Sequence, residues 1–233
     1  MVNGVIVMLK FTTAMALCCM TAGTAASAAT LSENFSSGLN GWQVYGTSAA
    51  QGANGTANSG ANVSVQPTGG PAGGADPWLS MSDSTGSWMH AVFGNGWSGD
   101  LSGFDGGTFS LDYIQTVPSS GSNFFSSFGF FRVTGGGQSV GVDIIPSNPS
   151  SSWNSVAVSF SAGTFGISQS QWDNILANVT EIRIQAESWS GITETVGFDN
   201  VKLTTLAPVP LPASVVLLLG ALGMLSVGRR QRA

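Results

Sequence analysis

The sequence predicts an all-β protein: a jelly-roll-type antiparallel β-sandwich with one short helix, flanked by an N-terminal signal peptide and a C-terminal transmembrane helix. Three observations predict it. Short segments alternate apolar and polar residues, clusters of Gly, Ser, Asn and Pro punctuate them, and one apolar run stands near each end of the chain.

At the N-terminus, residues 5–29 hold a lone Lys10, an apolar stretch through Cys18, Cys19 and Met20, and small residues ending in AASAAT. That reads as a secretory signal peptide over residues 1–28, with an Ala26-x-Ala28 cleavage site. Neither cysteine follows the Leu-x-small pattern of a lipoprotein. Both fall in the removed segment, so a disulfide scaffold, a Cys-ligated zinc and a thiol nucleophile are excluded from the body.

The body, residues 29–207, has the length of one domain. It holds three basic residues, Arg132, Arg183 and Lys202, against all 12 acidic residues, a formal charge of −9. No basic patch is available for nucleic acid or an anionic membrane surface. Strands are expected at TFSLDYI (108–114), FGFFRVT (128–134), SVGVDII (139–145), SVAVSF (155–160), EIRIQAES (181–188) and TVGFDNVKL (195–203). In EIRIQAES, Ile182, Ile184 and Ala186 point one way and Glu181, Arg183, Gln185 and Glu187 the other, so one face is expected to be core and the other wet. Further short strands are expected near 31–35, 42–45, 62–66 and 89–93. The stretch 46–74, rich in Gly, Ala, Ser and Asn, reads as a loop around one short strand. A helix is expected at SQSQWDNILANV (168–179): Ser168 or Ser170 can cap it, Trp172, Ile175, Leu176 and Val179 form its apolar stripe, and Asn178 can end it in the left-handed conformation.

The chain closes on VPLPASVVLLLGALGMLSVGRRQRA. The apolar run 213–227 is uncharged, and Arg229, Arg230 and Arg232 follow it as a membrane-stop basic cluster. A helix of that length spans roughly 22 Å, short of the ~30 Å bilayer core, and the arginines can snorkel to make up part of the difference. By the positive-inside rule the body then lies on the far side of the membrane. Pro208, Pro210 and Pro212 keep the preceding step extended.

Val209-Pro210-Leu211-Pro212-Ala213, a short apolar helix and a terminal Arg cluster together resemble the PEP-CTERM sorting signal of exopolysaccharide-producing Gram-negative bacteria. The resemblance covers residues 208–233. It implies export through the inner membrane, a transient membrane anchor, cleavage near the proline motif by an exosortase-type membrane protease, and a final place at the cell surface or outside the cell.

A second resemblance covers residues 95–203. NGWSGDLSGFDGGTFSLDY, SWNSVAVSF, SQSQWDNILANVTEIRIQAE and GFDNVKL follow one another as in the laminin B domain (laminin domain IV) and galactose-binding-like carbohydrate modules. It implies the jelly-roll fold and, as in such modules, a structural calcium between the first strand and the last, where Glu33 and Asp199 stand. Calcium takes hard oxygen ligands.

Sugar rings stack on exposed aromatic rings. Trp78, Trp97 and Trp189 border Gly/Ser/Asp loops and are the candidates, while Trp153 and Trp172 read as core. His90, the only histidine, reads as structural. The expectation is therefore a non-enzymatic cell-surface or extracellular-matrix protein with exopolysaccharide as its ligand. The alternatives are a structural or adhesive protein with no sugar site, and a secreted glycan hydrolase using carboxylates among Asp112, Asp143 and Glu187.

Overall fold

The computed structural model describes residues 28–47, 56–57, 61–84, 88–117, 128–145, 149–189 and 193–206. The signal peptide, the motif 209–213, the apolar run 213–227 and the cluster Arg229, Arg230 and Arg232 lie outside them, except Ala28. Among the described residues, no helix is long and apolar enough to cross a membrane.

The elements run β1 (Thr30–Glu33), β2 (Gln43–Thr47), β3 (Thr56–Ala57), β4 (Ala61–Gln66), β5 (Trp78–Asp83), β6 (Trp88–Val92), β7 (Gly107–Val117), β8 (Phe130–Gly135), β9 (Gln138–Asp143), β10 (Asn154–Phe160), α1 (Gln169–Leu176), β11 (Val179–Gln185) and β12 (Glu194–Thr204). They form two antiparallel sheets. Sheet A runs β10-β7-β12-β5-β4, with β1 also on β12; sheet B runs β3-β2-β6-β11-β8-β9. This is the predicted all-β sandwich with one short helix.

Local chemistry explains several elements. Gly136 and Gly137, with φ of 55° and 75°, make the two-residue turn that pairs Gly135 with Gln138 and closes the β8–β9 hairpin. Ser168 caps α1 in a capping box: its hydroxyl accepts from the Gln171 N–H, and the Gln171 side chain accepts from the Ser168 N–H. The helix ends at Ala177. Asn178 is not left-handed; the non-glycine residues with positive φ among those described are Phe35, Asn40 and Asn200.

Other expectations need correction. The 46–74 stretch contributes two strands, β3 and β4, rather than one. Strand β5 is absent from the expectations, since Met and Ser in WLSMSD carry weak strand preference and pairing with β4 and β12 decides its state.

The core is aromatic. Trp42 stacks on Phe93 with ring centroids 4.2 Å apart, Phe109 on Phe131 at 4.3 Å, and Phe165 on Trp172 at 4.7 Å. Helix α1 turns Trp172, Ile175 and Leu176 inward, and the Trp172 indole N–H donates to Asp105 at 2.9 Å. Replacing Trp172 with Ala should therefore cost about 3–5 kcal/mol of unfolding free energy in urea titrations, and Trp172→Phe clearly less.

Candidate functional site

The outer face of sheet B gathers most of the unusual side chains. Because Met89, Ala91, Ile182 and Ile184 point into the core, alternation sends their neighbours outward. Register then aligns them in two rows. One row places Tyr45 opposite His90 and His90 opposite Gln185, with the pair Phe130 and Asp143 on β8 and β9 continuing it. The next row runs Gln43, Val92, Arg183, Arg132 and Gly141. The centre is deep, with His90, Gln185 and Arg183 buried, while Tyr45, Phe130 and Arg132 are half-buried at the flanks. The face expected to be wet thus carries a buried polar floor.

Two of the body's three basic residues stand directly opposite each other here, Arg183 against Arg132. Like charges at such a position cost stability. Glu181 offsets part of this cost, its Oε1 accepting from Arg183 Nε at 2.6 Å and bridging Nη2 at 2.5 Å. The Arg132 guanidinium lies 5.9 Å from the Phe130 ring centroid. A Cβ on Gly141 would meet that ring at 2.5 Å, so glycine here gives the ring its place over β9. Burial lowers the Arg132 pKa, with Arg183 adding to it.

His90 is held as a neutral acceptor. Its Nδ1 contacts the Trp88 carbonyl at 3.1 Å, which makes Nδ1 the donor, and its buried Nε2 has no hydrogen-bond partner. Burial lowers its pKa to about 4, opposed by the Trp88 carbonyl and reinforced by Arg183 and Arg132. A bare imidazole acceptor in a buried floor is costly unless something donates to it.

On sheet A, Glu33 and Asp199 come to the junction where β1 and β5 both meet β12. Glu33 is in register with Val201, and β5 begins at Trp78, next to Leu79 opposite Phe198. Asp199 is fully buried, and neither carboxylate oxygen has a hydrogen-bond partner. Burial raises its pKa to about 7, and the charges of Asp76, Asp112 and Glu33 add to the rise. Glu33 accepts from the Asn34 and Phe35 N–H groups at 3.0 and 2.7 Å and from Asn40 Nδ2 at 2.7 Å. Three left-handed residues, Phe35, Asn40 and Asn200, flank these two carboxylates in sequence. Among the described residues no three His, Cys, Asp or Glu side chains converge as a metal cage. The orphaned, buried Asp199 oxygens nonetheless fit a hard cation whose remaining ligands are oxygens of other kinds.

The tryptophan candidates sit elsewhere than expected. Trp97 is buried against Phe93 and Trp42, and Trp189 is buried beside Glu194. Trp78 is buried over Gly197, its indole N–H donating to the Thr68 carbonyl at 2.9 Å. None offers an open ring face. Trp153, expected in the core, is half-buried on the outer face of sheet A, edge-on to Trp78 at 5.6 Å. Trp172 is core as expected.

The three carboxylates of the hydrolase alternative are not brought together. Asp112 lies on the outer face of sheet A and Asp143 on that of sheet B. Glu187 is buried beyond β11, accepting from the Met89 N–H and paired with Glu194. Burial raises the pKa of Glu187 and of Glu194.

No family model matches the chain, and no curated protein matches it. Among solved structures, the chain is similar to an exo-β-agarase, with TM-score 0.49, 14% identity, and 71% of this chain but 23% of that one covered. It is similar to a family 11 carbohydrate-binding module from Clostridium thermocellum, in complex with a β-1,3-1,4-mixed-linked tetrasaccharide: TM-score 0.45, 17% identity, 76% and 96% covered. The L4b domain of human laminin alpha-2 gives 0.49, 7% identity, 77% and 98%. Carbohydrate-binding modules and a laminin domain are thus among the solved structures the chain is similar to. At these values they assign neither a family nor an activity to the chain.

The buried groups set a pH dependence. The Asp199 pKa is raised from 3.8 to about 7, so its neutral form is favoured by folding, and the stability this brings is lost as pH rises through that window. Thermal melts in EDTA should show Asp199→Asn gaining on the wild type from pH 4 upward and levelling near pH 7, at roughly 2–4 kcal/mol. His90 acts oppositely: its pKa is lowered from 6.5 to about 4, so stability falls as pH drops through that range. His90→Gln should flatten this acid limb.

Proposed function

We propose that the chain is an exported, non-catalytic polysaccharide-binding protein of a Gram-negative cell surface or matrix, and that its glycan lies across the outer face of sheet B. The observation that carries this reading is the pair of in-register rows joining Tyr45, His90, Gln185, Phe130, Arg183 and Arg132. Sugars need aromatic surface for their apolar ring faces and paired donors and acceptors for their hydroxyls. Tyr45 and Phe130 supply the first at either flank. The half-buried Arg132 donates at the rim, over a floor made by the buried Arg183 and Gln185, and His90 Nε2 accepts. A sugar hydroxyl donating to Nε2 would end the imidazole's isolation.

Affinity electrophoresis and titration calorimetry against a panel of plant, algal and bacterial polysaccharides test this. Tyr45→Ala, His90→Ala and Phe130→Ala should each weaken binding by about tenfold or more, equivalent to ~1.4 kcal/mol, with melting curves that stay cooperative. Binding to no polysaccharide would leave the structural or adhesive reading. Turnover of a polysaccharide, lost on replacing Asp112, Asp143 or Glu187, would move the protein to the hydrolases.

Calcium belongs to the same proposal. Asp199 and Glu33 would hold it, and it would tie the first strand to the last by neutralising buried negative charge. Millimolar calcium should raise the melting temperature of the wild type at pH 7.5 and leave Asp199→Asn unmoved. An equal rise in both would remove the site.

Sorting rests on residues 208–233: the Val209–Ala213 motif for an exosortase-type protease, the apolar run 213–227 as a transient anchor, and Arg229, Arg230 and Arg232 as its cytoplasmic stop. Mass spectrometry of the surface protein should show a mature chain starting at Ala29 and lacking the tail. Pro210→Ala with Pro212→Ala should retain the tail; an unchanged C-terminus in that variant would refute cleavage at the motif.

A further inference from the structure

The opposite side of the sandwich has a cavity that the sheet B reading does not use. A trench of about 370 Å³ runs over the outer face of sheet A, lined by Ser110, Asp112, Ser155, Ala157, Asn200 and Lys202. Its size falls at the small end of ligand pockets, which run about 300–1,000 Å³. Register builds it from three strands. On β7 and β10, Asp112 faces Ser155 and Ser110 faces Ala157; on β12, Lys202 faces Ser110.

The ladder between β7 and β12 breaks here. Asp199 pairs with Asp112 and Lys202 with Ser110, so Asn200 and Val201 together oppose one residue. Strict alternation from Phe198, which is in the core, would send Asn200 inward. The bulge instead lets Val201 fill the core position, and Asn200 takes a left-handed φ of 48°. Its amide then donates to Asp112 Oδ2 at 2.8 Å, while the Ser155 hydroxyl donates to Asp112 Oδ1. Backbone strain of this kind costs about 1–3 kcal/mol and persists where the surroundings enforce it, and bulges commonly re-aim side chains beside binding sites.

The result is a carboxylate held from both sides, with hydroxyls, an amide and the exposed Lys202 ammonium around it. Each carboxylate oxygen keeps acceptor capacity beyond the bond it already accepts. Closely spaced donors and acceptors of this kind suit neighbouring hydroxyls of a neutral sugar. Two residues before Ser155 and just ahead of β10, about 7 Å away, stands the half-buried Trp153 on the same face. Its indole N–H is tied to the Gly69 carbonyl at 2.9 Å, which fixes the ring.

We infer that this trench is a second saccharide-binding site, and that one molecule bridges two polysaccharide strands. The trench stands on its own geometry; the bridging rests on the sheet B reading above. The outer faces of two stacked sheets point away from each other across the sandwich, so one glycan segment cannot fill both. A protein with two opposed sites cross-links its polymer without any further domain.

Calorimetry with neutral hexasaccharides (cellohexaose, xylohexaose, mixed-linkage glucohexaose and neoagarohexaose) separates the cases. The wild type should take up two equivalents of the hexasaccharide it binds. Ala157→Trp, which fills the trench from an exposed position, should take up one, and Tyr45→Ala, by weakening the sheet B site about tenfold or more, should take up one at concentrations that fill only the intact site. Lys202→Ala guards against misfolding of the tryptophan variant and should weaken the trench site about tenfold. With the corresponding long polysaccharide, the wild type should raise solution viscosity and light scattering, and neither single-site variant should. One equivalent, unaffected by Ala157→Trp and Lys202→Ala, overturns the trench and leaves sheet B standing. One equivalent removed by those variants alone supports the trench and overturns both the sheet B site and the bridging. Binding of no hexasaccharide overturns both sites.

Discussion

The pairing of β12 with β7, interrupted by the bulge between Asp199 and Lys202, is the constraint on which the rest of sheet A depends. Strand β12 runs with β7 on one side and with β5 and then β1 on the other. The bulge lies where β5 gives way to β1. It keeps Phe198, Val201 and Leu203 all in the core despite an odd spacing. At the same point it leaves Asp199 buried with bare oxygens and turns Asn200 toward Asp112. One irregularity thereby creates both the candidate cation position and the wall of the trench.

A second constraint is that a chain with so few charges buries several of them. Asp83, Glu187 and Glu194 are all nearly inaccessible, and His90 is close to the same end of the sandwich. Asp83 and Glu194 are in register on β5 and β12. Burial raises the Glu187 pKa and neighbouring Glu194 adds to the rise, while Glu194 accepts from Ser188 Oγ at 2.6 Å and from the N–H groups of Ser188 and Trp189 at 3.0 Å. These bonds tie Ser188 and Trp189 to the first residue of β12.

Much of the fold was legible in advance. The alternating runs coincide with β7, β10, β11 and β12 to within a few residues, because a half-buried strand writes its period directly into the chain. The Ser168 cap and the Trp172 stripe were equally plain. Strand β5 leaves no local signal because Ser80 and Met81 are stabilised by pairing on both sides rather than by local preference. The sites were harder to read. A tryptophan beside a glycine looks exposed on paper, yet Trp78 is buried because Gly197, distant in the chain, leaves room for it. Trp153 reads as core in the sequence, and the alternation of β10 puts it outside.

The amino-acid sequence by itself determined the all-β class, the one helix and its cap, a body with no cysteine, the acidic balance, and a C-terminal segment with the features of a sorting signal. Each of these depends on composition or on neighbours a few residues apart. Only the tertiary structure decided that Tyr45, His90, Gln185, Arg183 and Arg132 share one face, and that Asp112, Ser155 and Asn200 share another. Both faces join residues separated by 40 to 140 positions, and their alignment depends on strand register. A shift of one residue would turn every one of these side chains to the opposite face.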